Sequence, residues 1–231
     1  MTTTIWIIMM IAGYVLGSIP ASLLAARARG IDLRRFGTYQ VGAGNVWRTT
    51  SRRLGLAVGI YDFCKGAAMV LYGYWLGLDA TQQLAIGLAV VAGHNWPVFL
   101  RFHGGRGIAT SGGIILVMPF INNTPIWGVV AYLIILVSAM VLYRSSPIAI
   151  LIGVTLQPIV TAAFGLPFSL TMTYTALLLV VIIKRLTAQK SAEGQAISFW
   201  RLMFNRLIWD RDIADRSAWV NRKHEVKKGT A

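Results

Sequence analysis

The residues best suited to chemistry lie in the run Gly93-His94-Asn95-Trp96-Pro97-Val98-Phe99-Leu100-Arg101-Phe102-His103-Gly104-Gly105-Arg106-Gly107-Ile108-Ala109-Thr110. Gly104, Gly105 and Gly107 let backbone N–H groups approach a ligand closely. Arg106 adds a permanent cation, and Ile108 opens an apolar segment of helical length. A glycine turn leading into a helix N-terminus binds anions. The same residues also make a tight interhelical turn, and the turn alone fits both readings. His94 suits a base, a donor to an anion, or a cap for neighbouring backbone.

Two further clusters have polar chemistry. Gly42-Ala43-Gly44-Asn45-Val46-Trp47-Arg48-Thr49-Thr50-Ser51-Arg52-Arg53 combines glycines, an amide, hydroxyls and arginines, a set able to surround a phosphate. It is not a P-loop: no Gly-Lys-Ser/Thr ending follows, and Trp47 interrupts a G-x-G-x-x-G reading. Asp62 and Lys65, followed by Gly66, stand one helical turn apart, either as a pair tolerable near a membrane or as supports for the arginine loop. No carboxylate lies near His94 in sequence, and the H-x-x-x-x-D pattern of glycerolipid acyltransferases that use thioester donors is absent. Three histidines and scattered carboxylates give no metal-ligand spacing, and no serine triad is readable.

The elements that must position these groups are apolar. Of 231 residues, 56% are hydrophobic and 13% charged, and the mean hydropathy is +0.62, which places the chain among polytopic membrane proteins. Seven apolar segments are expected as helices at about 4–26, 56–78, 82–101, 108–121, 125–143, 147–166 and 168–186, the fourth short for a full span. Pro20 is expected to kink the first, and Pro97 lies near the end of the third. The first segment has no basic residues before it and reads as a retained helix. The single Cys64 excludes an internal disulfide and a cysteine zinc site.

The formal charge of +14 comes from basic residues in the gaps between the apolar runs and from Lys184 onward, at the end of the last run and after it. Arg27, Arg29, Arg34, Arg35, Arg48, Arg52 and Arg53 fall between the first and second segments, Arg101 and Arg106 between the third and fourth, and Arg144 between the fifth and sixth. The alternate connections carry no Lys or Arg. This predicts an all-α membrane protein of seven transmembrane helices, N-terminus outside and C-terminus cytoplasmic. The charge reads as topology and contact with anionic membrane lipids, not nucleic acid, since no groove-reading motif accompanies it. Residues 1–186 form the membrane domain and 187–231 a basic cytoplasmic tail. Within the tail, Ala196 to Trp209 interleaves aromatic and apolar residues with Arg201 and Arg206. That pattern suits a helix in the headgroup layer or one packed on the end of the bundle. All three polar clusters then sit on the cytoplasmic side, as a pocket for phosphorylated substrates.

Several of these motifs together resemble the bacterial acyl-phosphate:glycerol-3-phosphate acyltransferases. The matching stretches are Gly17-Ser18-Ile19-Pro20 with Gly30 to Arg34, the glycine–asparagine loop Gly42 to Arg53, Asp62-Phe63-Cys64-Lys65-Gly66, Gly93 to Phe99, and Gly104 to Thr110. The resemblance spans roughly 1–186. It implies transfer of a fatty acyl group from acyl phosphate to the 1-hydroxyl of glycerol 3-phosphate, giving lysophosphatidic acid and phosphate at the bacterial inner (plasma) membrane, with no cofactor and no metal. It implies His94, Asn45 and Arg106 as catalytic residues. Gly42, Gly44, Thr49, Arg53, Gly104, Gly105, Arg106 and Gly107 would surround phosphate, with Asp62, Lys65 and Arg185 in support. The chain departs from the family pattern at Ala43 (serine there), Trp47 (glycine) and Thr50 (asparagine), and Arg106 replaces a lysine. In the third motif Ile182 and Lys190 replace asparagine and glutamate, unless Asn205-Arg206-Leu207 supplies a displaced equivalent. These departures leave open a homologue that binds phospholipid or acyl phosphate without turnover. An organic-anion transporter is the remaining alternative.

Overall fold

The computed structural model describes residues 2–143, 146–188 and 191–220. Every described element is helical. The expected first segment is broken into α1 (Thr2–Ser18) and α2 (Ala21–Arg27), because Pro20 has no N–H to continue the ladder and instead caps α2. Next come α3 (Ala43–Thr49), α4 (Arg52–Trp75) and α5 (Ala80–Asn95), then a 3₁₀ turn at Val98–Leu100. α6 (Ile108–Asn122), α7 (Trp127–Tyr143), α8 (Pro147–Ala163) and α9 (Phe168–Leu186) complete the bundle. The tail adds α10 (Ala192–Gln195), α11 (Phe199–Trp209) and α12 (Arg216–Val220).

Each expected apolar segment contains helix, the third giving way after Asn95 to the 3₁₀ turn, and two stretches differ further from expectation. The glycine–asparagine stretch is not a loop but the short helix α3, with Gly42 extended at its N-cap. Helix α4 begins four residues early, because the Ser51 hydroxyl accepts from Leu54 N and caps it. Among the described residues, four helices are long and apolar enough to cross a membrane: Thr2–Arg27 taken together, Arg52–Trp75, Ala80–Leu100 and Phe168–Leu186. Helices α6, α7 and α8 are apolar but shorter.

The core lies where α4, α5, α6 and α9 meet, around Val70, Leu84, Val91, Ile114, Ile115 and Leu177. Helix α1 lies along α5 at close range: a Cβ on Gly93 would sit 2.1 Å from Tyr14 O. The outer surface is also apolar, with Ile8, Ile11, Trp75, Ile134, Val141 and Leu142 all exposed. Apolar surface on this scale belongs against lipid tails.

The two ends of the bundle differ. At one end Trp6 Nε1 donates to Gln82 O (3.2 Å), Asn122 Nδ2 to Gln83 Oε1 (2.8 Å), and Thr81 and Ser169 share a hydroxyl bond (3.0 Å). The other end gathers α3, the start of α4, the end of α5, the start of α6 and the tail. The polar clusters are all there.

Candidate active site

At that end Asp62 and Lys65 form a buried ion pair, Oδ1 to Nζ 2.7 Å. The ammonium also donates to Gly17 O at 3.3 Å and reaches His94 Nδ1 at 2.9 Å. Asp62 Oδ1 lies 3.4 Å from the same ring nitrogen. An ammonium can only donate, so the Lys65 contact assigns Nδ1 as the acceptor and places the ring hydrogen on Nε2. The pairing of Asp62 with Lys65 was readable from their spacing. Their shared contact with His94 joins α4 to α5 across 29 residues and had no local signal.

The glycine turn is built differently from the expectation. Gly104 N donates to Asn95 O (3.2 Å) and Gly105 N to His94 O (3.0 Å). Helix α5 ends here, and its last carbonyls need donors, so these two amides cap α5 and do not face a phosphate. Gly105 is required for another reason: a Cβ there would lie 2.1 Å from His94 Nε2. Gly107 caps α6 with φ +68, a left-handed geometry that favours glycine. Beneath it the Asn95 side chain is fully buried and has no hydrogen-bond partner among the described residues. Gly107, Ile108 and Ala109 line a cavity of about 530 Å³. Of the glycine stretch, Arg106, Gly107 and the first turn of α6 are the parts that face the cavity.

Arg106 lies at the centre of this end. Its Nη1 donates to Lys184 O (3.1 Å) and lies 3.0 Å from Asp210 Oδ1 of the tail. It borders the 530 Å³ cavity on one side and a cleft of about 660 Å³ on the other. The second cleft has Arg34, Arg101, His103 and Lys184 on its walls. Arg34 bonds Asp32 at 2.9 and 2.6 Å and holds that carboxyl well below the usual carboxylate range. Lys184 Nζ donates to Asn95 O and sits over the Trp96 ring.

The residues of α3 divide. Gly42, Gly44 and Arg48 line the cavity. Asn45 borders it too, yet its side chain is buried and engaged with backbone. Its Oδ1 accepts from Thr38 N (3.1 Å), and Nδ2 faces the carbonyls of Leu33, Phe36 and Gln40 at 3.0–3.2 Å. The geometry makes it a positioning residue that shapes the 33–40 turn. Thr49 donates its hydroxyl to Asn45 O (2.8 Å) and lines neither cavity. Arg53 is exposed on the first turn of α4 and is on neither wall, because the early start of α4 carries it outward. Arg48, one helix earlier, takes its place.

Arg185 is 2% exposed and donates to Leu207 O and Pro147 O, both at 2.7 Å, tying the tail and α8 to α9. The tail is held further by Arg206, which bonds Asp212 Oδ1 (2.7 Å) and Leu186 O (2.8 Å). Asn205 donates to Asp212 O (2.8 Å), so it shapes the tail's own turn and is no displaced site amide. Trp209, Asp210, Arg211, Arg216 and Trp219 form the tail's share of the cavity wall. Sequence reasoning missed this wall. The available signal was the placement of Asp210, Asp212 and Asp215 within six residues of a chain holding only eight acidic residues.

The family model described as glycerol-3-phosphate acyltransferase matches residues 7–191. The chain belongs to the glycerol-3-phosphate acyltransferase family. It is 42% identical to glycerol-3-phosphate acyltransferase 4 of Dehalococcoides mccartyi (strain CBDB1), covering 97% of each chain. Glycerol-3-phosphate acyltransferase of Geobacter sulfurreducens is 33% identical over 81% of this chain and 94% of its own. Two crystal structures of PlsY (YgiH), an integral membrane glycerol 3-phosphate acyltransferase, share the fold. The glycerol 3-phosphate form has a TM-score of 0.67 at 27% identity, covering 78% of this chain and 88% of its own. The lysophosphatidic acid form has a TM-score of 0.66 at 25% identity, covering 87% and 93%. The protein is thus a multi-pass membrane member of this family. The departures from the family pattern can now be placed. Trp47 is exposed and, like Thr50 and Ile182, lines neither cavity, whereas Ala43 does. Lys190 lies outside the described residues.

Proposed function

We propose that this protein transfers a fatty acyl group from acyl phosphate to the 1-hydroxyl of glycerol 3-phosphate, releasing lysophosphatidic acid and inorganic phosphate. The observation that carries the reading is the cavity itself. Arg48, Arg106, Arg211 and Arg216, the first turn of α6 and His94 surround it, and of its two carboxylates Asp62 is engaged by Lys65 and Asp210 by Arg106. Two phosphorylated substrates need such a surplus of donors.

Acyl phosphate is a mixed anhydride, so the donor arrives activated. The acceptor hydroxyl adds to the carbonyl carbon, the carbon–oxygen bond to phosphate breaks, and the departing phosphate takes the hydroxyl proton. The protein contributes alignment and stabilisation of negative charge. In this reading Arg106 and the α6 turn hold one phosphate, Gly42 and Gly44 shape the wall opposite, and His94 Nε2 donates to developing charge. Asp62 and Lys65 fix the ring, while Gly104 and Gly105 press the turn against it. Arg185 and Asn45 hold the frame.

The end that bears the cavity faces the cytoplasm on this proposal, since every basic connection gathers there. Seven crossings then place the N-terminus outside. Helices α6, α7 and α8, at 15–17 residues, reach about 22–26 Å, so they span by sitting in a locally thinned bilayer. Helix α11 turns Phe199, Trp200 and Phe204 outward with Arg201, facing anionic headgroups, while Leu202 packs inward. A transporter reading fits less well, because the polar cavity is at one end of the bundle and not at its midplane.

The test is phosphate release by purified, detergent-solubilised protein given acyl phosphate, with and without glycerol 3-phosphate. Release that requires the acceptor and matches lysophosphatidic acid formation is the expected result. A folded sample with no acceptor-dependent release would overturn the reading.

A further inference from the structure

We infer that Arg211 of the tail, flanked by Arg216 and Arg48, forms a second phosphate subsite on this cavity, separate from Arg106. The inference rests on the transferase reading for the identity of the ligand but not for its existence. Arg211 is 8% exposed, lies on the cavity wall and stacks over the Trp209 ring at 5.5 Å. Its Nε is buried and has no hydrogen-bond partner among the described residues.

Among the described residues no carboxylate forms an ion pair with it, because the nearby ones are engaged elsewhere. Asp210 is turned to Arg106 at 3.0 Å. Asp212 is held by Arg206 Nε and Ser191 N, both at 2.7 Å. Asp215 Oδ1 accepts from Ala218 N at 2.8 Å, within the first turn of α12. Burial and the nearby Arg216 push the Arg211 guanidinium below its ordinary range, against the pull of Asp215 and Asp210. Arg48 is likewise lowered, by burial and by Arg216. Arginine still keeps its charge throughout the working range. Three cations therefore crowd one side of the cavity, one of them largely out of water with a donor unmatched, an arrangement that is costly unless an anion enters. The guanidinium fork suits phosphate oxygens.

The chemistry supplies the occupant. Acyl phosphate and glycerol 3-phosphate each bring one phosphate, and the two must be bound together with the carbonyl and hydroxyl between them. Arg106 and the α6 turn serve one, and the tail serves the other. The family match covers residues 7–191, so Arg211 and Arg216 lie beyond it and Arg48 within it.

The experiment uses the full-length protein in detergent, with Arg211→Gln, Arg211→Lys and Arg216→Gln variants. It measures KM for each substrate in turn, and inorganic phosphate binding by calorimetry. Arg211→Gln is expected to raise the KM of one phosphorylated substrate about tenfold, as loss of a charged hydrogen bond does, and to weaken phosphate binding in parallel. Arg211→Lys should recover part of both, and Arg216→Gln should shift the same KM by roughly threefold. A shift in the acyl phosphate KM assigns the donor's phosphate to Arg211, and a shift in the glycerol 3-phosphate KM assigns the acceptor's. Arg216 is on the surface, so its variant keeps the test decisive even if Arg211→Gln misfolds. Folded variants with both KM values and phosphate affinity within twofold of the unmodified protein would sink the subsite and leave the transferase intact. Arg211-dependent phosphate binding in a protein without acyl transfer would do the reverse.

Discussion

The two ends of the helix bundle have opposite electrical characters. One end holds Thr2, the α4–α5 turn, Asn122 and the Pro167 turn, and it closes with neutral side chains bonded to each other or to backbone. Its one carboxylate among the described residues, Asp79, caps α5, and Gln82 returns the bond to complete a capping box. Polar groups there are matched, as they must be where a fold simply needs to end. The opposite end is not matched. It collects arginines beyond its carboxylates, leaves Arg211 Nε without a partner among the described residues, and buries Asp62, Lys65 and His94 in mutual contact. Electrostatic imbalance of this kind is a cost that stability alone would remove, and the proposed function accounts for it by placing the phosphorylated substrates at this end.

The Asp62–Lys65–His94 group should give the largest effect. Lys65→Met keeps the length of the side chain but leaves Asp62 buried with His94 as its one remaining basic partner within 4.0 Å among the described residues. Removing one member of a buried pair costs about 3–5 kcal/mol. The expected outcome is a marked loss of folded protein and a much lower thermal midpoint in detergent. The double variant Lys65→Met with Asp62→Leu should recover much of the midpoint without recovering activity, because His94 then loses the donor that fixes its ring. Recovery of both properties would mean the group serves packing only.

The neutral end and the helices between were largely readable from the sequence. Apolar runs set helix positions to within a few residues, Pro20 marked a break, and the uncharged connections marked one face. Asp62 and Lys65 were readable as a pair because helical spacing places i and i+3 together. The site was readable as a set of motifs but not as a geometry. Asp62 meets His94 through tertiary packing, which no local pattern encodes. Gly104 and Gly105 were expected to offer amides to a ligand, and the unmet carbonyls at the end of α5 claimed them first. Arg53 and Arg48 are five residues apart in one basic stretch, and only the Ser51 cap decides which faces the cavity. The tail's contribution depends on Arg185 and Arg206 docking it, contacts between segments that sequence order keeps apart.

An intermediate effect is expected at Asn45, which belongs to the charged end by position and to the frame by its bonds. Asn45→Ala leaves Thr38 N and the carbonyls of Leu33, Phe36 and Gln40 without their present partner. Unsatisfied buried groups cost roughly 1–3 kcal/mol each, reduced where water can enter. The thermal midpoint should fall, and KM values should rise because the 33–40 turn forms part of both cavity walls. Asn45→Asp separates the two roles. It keeps the acceptor for Thr38 N but removes the donors to the carbonyls, so it should destabilise nearly as much as alanine. A variant that kept full stability yet lost turnover would place Asn45 in direct contact with substrate, contrary to the geometry.

The smallest effect should come from Asp79, at the neutral end. Its carboxylate accepts from Gln82 N at 2.9 Å, and Gln82 Oε1 accepts from Asp79 N at 3.1 Å. Both bonds are exposed, so water replaces them in part when Asp79→Ala removes the cap. N-cap losses of this type cost about 1 kcal/mol. The start of α5 is also held by Trp6 bonding to Gln82 O and by Gln83 bonding to Leu78 O (2.6 Å), so fraying should stop within the first turn. His94 lies at the far end of the same helix, fifteen residues away, and its ring is positioned by Lys65 and not by the cap. A slightly lower thermal midpoint with both KM values and kcat unchanged is therefore the expected result, read from unfolding and steady-state assays on the same preparation. If kcat fell with the midpoint, α5 would be transmitting strain along its whole length. The two ends would then be one mechanical unit, and the separation of a matched scaffold from an unmatched site would fail.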